Sequence, residues 1–130
     1  ILKIAVYRHK RAEDFLFPSF SYLNALDLGV KAVLSGQSWV DIMCRNVNKG
    51  WALQKLQARY GILPEECMAF GDYLNDTEML SVCGESYAMA NAHPELIGLA
   101  KHIAPSNDEN GVVSVLKEKF FLPDETVTKG

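Results

Sequence analysis

Phe70-Gly71-Asp72-Tyr73-Leu74-Asn75-Asp76 is the stretch on which the fold turns. The run that leads into it, Cys67-Met68-Ala69-Phe70, is short and continuously apolar, the pattern of a strand buried on both faces in a parallel sheet. A strand that runs into a glycine and then a carboxylate places Asp72 at the carboxyl edge of that sheet, where the ligand sites of α/β folds form. Asp76 follows four residues on, at the start of a short helix that runs to Val82. Two carboxylates and an amide in one tight loop are hard oxygen donors of the kind Mg²⁺ selects, above all when a substrate phosphate completes its coordination. The same residues also have a purely local reading, with Asp76 as a helix cap and Asp72 as a turn former. The D-x-D-x-D-G order of an EF-hand loop is absent.

Upstream of this loop, Asn48 is placed to cap a helix running to Tyr60, with Leu53, Leu56 and Tyr60 on one face and Gly61 as its stop. Lys49 then falls in the first turn, where the helix dipole disfavours a cation. A residue set against its local preference is expected mainly at functional sites, and a bound phosphate would reverse the sign. The alternative is a solvated surface lysine. No G-x-x-x-x-G-K precedes Lys49, so this is not a P-loop. Downstream, strand patterns at 86–89 and 102–104 alternate with helix patterns at 94–100 and 112–120. Helices alternating with strands over short loops imply a parallel sheet covered by helices.

The first 45 residues follow a different grammar. They read as a strand at 1–7, a helix at 14–26 that Pro18 must start or break, and a hairpin of strands 30–35 and 38–43 around Gly36-Gln37. Residues 122–130 form a polar tail that is expected to fray.

Composition narrows the function classes. The 130 residues are 48% hydrophobic and 22% charged, ordinary for a globular domain, and carry a formal net charge of −3. That balance opposes a nucleic-acid partner bound through a basic face, and no run approaches the ~18 apolar residues of a membrane span. Cys44, Cys67 and Cys83 form no C-x-x-C and fit a reducing, cytoplasmic setting. His9, His93 and His102 are scattered, Trp39 and Trp51 read as packing residues, and Cys83 reads as a small buried residue at a helix end. No serine stands in a G-x-S-x-G elbow, which leaves acyl hydrolysis without support. The chain opens within a strand pattern, with no signal-peptide features, and has the look of a piece of something longer.

Five segments in order carry a family resemblance: Asn48-Lys49-Gly50, Tyr60-Gly61-Ile62-x-Pro64-Glu65-Glu66, Gly71-Asp72-x-x-Asn75-Asp76-x-x-Met79-Leu80, Ala88-Met89-Ala90-Asn91-Ala92-x-Pro94 and Ser106-Asn107-x-x-Asn110-Gly111-Val112. Together they resemble the carboxy-terminal part of a Cof-type phosphatase of the haloacid dehalogenase superfamily. The resemblance implies an α/β fold with a Rossmann-like core, a parallel sheet bearing helices on both faces. Residues 46–122 would be the carboxy-terminal half of that core, 1–45 the end of an α+β cap domain, and 123–130 a tail. It also implies that Lys49 holds the transferred phosphoryl group, that Asp72 coordinates Mg²⁺, that Asn75 contacts the phosphate, and that Asp76 supports the metal or the loop. Phosphoryl transfer needs such a metal, a fixed cation and tight positioning. The family's nucleophile is the first aspartate of a D-x-D motif, and no D-x-D pair occurs in these residues. The expected parent is therefore a Mg²⁺-dependent phosphomonoester hydrolase that works through an aspartyl-phosphate on a small phosphorylated metabolite, a sugar phosphate or phosphorylated cofactor. This chain would depend on the missing amino-terminal half as its partner and would be inactive alone. The rivals are a non-catalytic fragment or pseudo-enzyme that binds Mg²⁺ or phosphate, and a receiver-like module, against which the early position of Lys49 counts.

Overall fold

The computed structural model describes residues 3–120, so Ile1, Leu2 and the tail reading lie outside the described residues. Strands Lys3–Tyr7 (β1), Val30–Gly36 (β2) and Trp39–Cys44 (β3) form an antiparallel sheet in the order β1-β3-β2. Alternation divides its residues between two faces. Ala32, Leu34 and Val40 lie on one face and are buried together with Ala12. The other face carries the cross-strand row Lys3, Met43, Lys31, with Asp41 and Val33 in the next row.

The helix expected at 14–26 is instead a chain of turns. A π-helical turn at Ala12–Leu16 passes into a single α-helical turn at Phe17–Phe20 (α1) and a 3₁₀ turn at Ser21–Asn24. Pro18 has no N–H to donate to the preceding turn, which favours a change of helical type there over one continuous helix. The Asn24 side chain then ties the segment to the sheet, accepting from the Ala32 N–H at 2.7 Å and donating to its carbonyl at 3.0 Å.

From Lys49 onward, helix and strand alternate as the pattern implies. Helix Lys49–Tyr60 (α2) leads to strand Met68–Gly71 (β4), helix Thr77–Ser81 (α3), strand Glu85–Met89 (β5), helix Pro94–Leu99 (α4), strand His102–Ala104 (β6) and helix Gly111–Phe120 (α5). Gly61 stops α2 in the left-handed conformation, φ 65°, that a residue with a Cβ adopts at a cost. Strands β4, β5 and β6 pair in parallel in that order. Their core unites Ala69, Leu80, Cys83, Ala88, Met89, Leu96 and Ala104, so Cys83 is the buried small residue the sequence suggests. Trp39 and Trp51 are each nearly half exposed, and they pack at the surface, against Tyr7 and Lys55 respectively. Register places Phe70, Tyr87 and His102 side by side, Phe70 stacked on Tyr87 with centroids 5.0 Å apart and the His102 ring tilted against Tyr87 at 4.8 Å. Among the described residues, the far edge of β4 has no strand beside it.

Candidate active site

Asn48 begins α2 as a cap, its side chain accepting the Trp51 N–H at 2.7 Å, so Lys49 stands in the first helical turn. There its ammonium opposes the helix dipole, and an ion pair with Asp76 offsets the conflict. The approach of α2 to the Asp72 loop depends on Gly50. A Cβ at that position would lie 2.4 Å from the Glu78 carbonyl oxygen, so only glycine lets the amino end of α2 rest against α3.

Asp76 behaves differently from the expected helix cap. It stands at the N-cap position just before α3 but makes no capping hydrogen bond to that helix. The 3₁₀ turn Leu74–Asp76 folds its carboxylate back into the loop instead. One oxygen accepts the Asp72 N–H at 3.1 Å and the Tyr73 N–H at 3.5 Å, while the other pairs with Lys49. Asp76 is nearly completely buried by this arrangement. Gly71 permits it, since a Cβ there would stand 2.7 Å from the Asp76 Cβ.

Asp72 remains exposed at the end of β4. Its Oδ2 accepts from Asn107 Nδ2 at 3.1 Å, and the Asn107 N–H is itself held by Asn91 Oδ1 at 3.0 Å. Asn107 escaped the sequence reading as a site residue; the available signal was its place just past the carboxyl end of β6, the same edge of the sheet as Asp72. Nearby, burial and then the Glu13 carboxylate push the Tyr73 hydroxyl above its usual range, so that it stays protonated.

Lys49, Asp72, Asp76 and Asn107 line one cavity of about 200 Å³, walled by Phe70, Met79, Met89 and Val112. Asn75 lies elsewhere, in a second cavity of about 90 Å³ that also reaches Lys49. Successive residues of a 3₁₀ turn point about 120° apart, so Asn75 and Asp76 diverge by construction. The two aspartates offer hard oxygen donors suited to Mg²⁺. Asp72 has its carboxylate at the cavity surface, whereas both Asp76 oxygens are already engaged. Among the described residues, no cluster of three or more His, Cys, Asp and Glu side chains is placed to hold a metal ion, and no helix is long and apolar enough to cross a membrane.

A parallel sheet with alternating helices, and with carboxylates, a lysine and an amide gathered at its carboxyl edge, defines an α/β protein with a Rossmann-like core. The chain belongs to the haloacid dehalogenase-like hydrolase family, whose pattern matches residues 1–116. It is 39% identical over 85 residues to the 5-amino-6-(5-phospho-D-ribitylamino)uracil phosphatase of Escherichia coli, an overlap of 65% of this chain and 31% of that protein. It is 36% identical over 115 residues to the phosphoglycolate phosphatase of Archaeoglobus fulgidus, covering 85% of this chain and 51% of that one. The crystal structure of SMU.1108c from Streptococcus mutans superposes with a TM-score of 0.81 at 32% identity, over 93% of this chain and 45% of that one. A haloacid dehalogenase-like hydrolase from Bacillus subtilis superposes at 0.77 and 27% identity, over 93% and 41%. The chain thus spans between about a third and a half of the length of these relatives.

Proposed function

We propose that the full-length protein containing this chain is a Mg²⁺-dependent phosphomonoester hydrolase of the Cof type, acting on small phosphorylated metabolites from the cytoplasm. The observation that carries this reading is the convergence of Lys49, Asp72 and Asp76 on one cavity at the carboxyl edge of the parallel sheet. Relatives named as phosphatases support it, although the substrates in their names differ from one another.

In this reading Lys49 holds the phosphoryl oxygens and offsets charge that develops during transfer. Asp72 is the direct carboxylate ligand of Mg²⁺, which when bound neutralises phosphate charge. Asp76 acts as a positioning residue through its hydrogen bond to the Asp72 N–H and its ion pair with Lys49. Asn75 contacts the substrate from the far side of Lys49. The antiparallel sheet β1–β3 acts as part of a cap, and the carboxylate nucleophile comes from a segment outside these 130 residues, seated beside the open edge of β4.

Hydrolysis of p-nitrophenyl phosphate with Mg²⁺ tests the proposal. The full-length protein is expected to turn over and the 130-residue chain alone is not. Lys49→Ala should lower kcat/KM by about 10²–10³-fold, the typical loss when a fixed electrostatic contact to the transition state is removed. A Lys49→Ala enzyme of near-normal activity would return Lys49 to the solvated surface.

A further inference from the structure

We infer that the cavity between the antiparallel sheet and the amino end of α2 is a second oxyanion subsite, selecting phosphomonoesters whose leaving group carries its own phosphate or carboxylate. This deepens the phosphatase reading and rests on it for the role of Lys49.

The sheet wall comes from the register. Lys3 and Lys31 flank Met43 in one cross-strand row, and Asp41 lies in the next row of the same face. The opposite wall is the amino end of α2 with Asn48 and Lys49, together with Asn75 and Glu78. Three lysines line a space of about 90 Å³, enough for a small oxyanion group, and each meets one carboxylate: Lys3 meets Asp41, Lys31 meets Glu78, and Lys49 meets Asp76 from the neighbouring cavity. The amino end of the 12-residue helix α2 adds positive potential of the same sign.

The two carboxylates are not equivalent. Asp41 is buried, and Lys3 answers it at 3.0 Å. Lys31 is the less satisfied cation. Its side chain is only 17% exposed, yet the partner it meets is Glu78 at 3.4 Å, long against the 2.7–2.9 Å of a good charge-assisted bond. Glu78 is 42% exposed and free to turn to water. A part-buried ammonium carries three donors, and a single long contact leaves them underused. An oxyanion in this cavity would satisfy Lys31 at close range. Because Lys49 lines both cavities, a group held here would lie next to a phosphoryl held at Lys49, within reach of its leaving group.

The test measures the full-length enzyme on matched pairs: glycerate 3-phosphate against glycerol 3-phosphate for a carboxylate, and fructose 1,6-bisphosphate against fructose 6-phosphate for a phosphate. Selectivity is kcat/KM for the anionic member over its neutral partner. Wild type should favour the anionic member of at least one pair, and the pair that responds identifies the group. Lys31→Met should cut that selectivity about tenfold, the loss of one charged hydrogen bond. Lys31→Arg should restore most of it, and Glu78→Gln, which frees Lys31, should raise it. Wild type without a preference, or Lys31→Met and Glu78→Gln both within twofold of wild-type selectivity, overturns the proposal. A loss in Lys31→Met that is equal for both members of each pair also overturns it, since a merely structural bridge to Glu78 predicts that result.

An NMR titration of the full-length protein with inorganic phosphate separates this inference from the activity. Shifts around Lys31 that vanish in Lys31→Met, in a protein that hydrolyses no ester, would keep the subsite and overturn the phosphatase reading. Shifts confined to Lys49 and the Asp72 loop would do the reverse.

Discussion

Replacing Asp76 should separate its charge from its role as the clasp of the Asp72 loop. In Asp76→Ala the Asp72 N–H loses its acceptor at 3.1 Å. An amide left unpaired in a part-buried setting costs about 1–2 kcal/mol. The ion pair with Lys49 is lost as well. Since the Lys49 side chain is 51% exposed, that loss is discounted to about 0.2–1 kcal/mol. The sum is a destabilisation of about 1–3 kcal/mol. Asp76→Asn keeps an oxygen for the amide and gives up only the charge, so it should lose less than about 1 kcal/mol. Urea unfolding reads both variants as shifts of the midpoint at constant slope. Hydrogen exchange at the Asp72 amide should accelerate in the alanine variant and change little in the asparagine variant. If the two variants unfold alike, or if alanine stays within about 0.5 kcal/mol of wild type, the folded-back carboxylate is not what holds the loop.

Two other sites lend themselves to measurement. Gly50→Ala gains about 1 kcal/mol of helix propensity but drives a Cβ to within 2.4 Å of the Glu78 carbonyl. Overpacking of that kind costs about 1–3 kcal/mol, so the urea midpoint should fall, and a rise would show that α2 and α3 separate freely. At the far end of the sheet, the hydrogen bond from Lys119, with Lys119 and His102 charge beside it, holds the Glu85 carboxyl below its ordinary range. A depressed carboxyl contributes stability above its unfolded pKa and loses it as pH falls through the folded value. Lys119→Met should therefore move the Glu85 titration upward by NMR. An unmoved titration would remove Lys119 as the cause.

Much of this architecture is legible in the sequence because period and punctuation agree from Asn48 onward. The apolar run before Gly71, the cap at Asn48, the stop at Gly61 and Pro94 at the head of α4 each mark an element that forms. What the pattern hides is direction. Nothing in Gly71-Asp72-x-x-Asn75-Asp76 distinguishes a carboxylate that caps α3 from one that turns back into its own loop, because both begin from the same residue position. The 3₁₀ turn decides between them, and it sends Asn75 to the other side of Lys49. Asn107 was hidden for a different reason: its partner Asp72 lies 35 residues away, and local pattern carries no information about that pairing. The turns at 12–24 were missed because Pro18 signals a break without saying which hydrogen-bond pattern replaces the helix.

The spacing between Lys49 and Asp72 is set by residues that touch neither cavity's contents through a side chain. Gly50 lets α2 descend onto the Glu78 backbone and brings Lys49 within reach of Asp76. Gly71 leaves room for Asp76 to fold back, and the hydrogen bond to the Asp72 N–H then fixes the end of β4 with the Asp72 carboxylate outward. Asp76 is thus the hinge of the arrangement, one oxygen answering the helix and the other the strand. A longer side chain at either glycine would move the cation and the carboxylate apart before it disturbed the core around Leu80 and Ala88. The site is accordingly most vulnerable at two positions that carry no chemistry of their own.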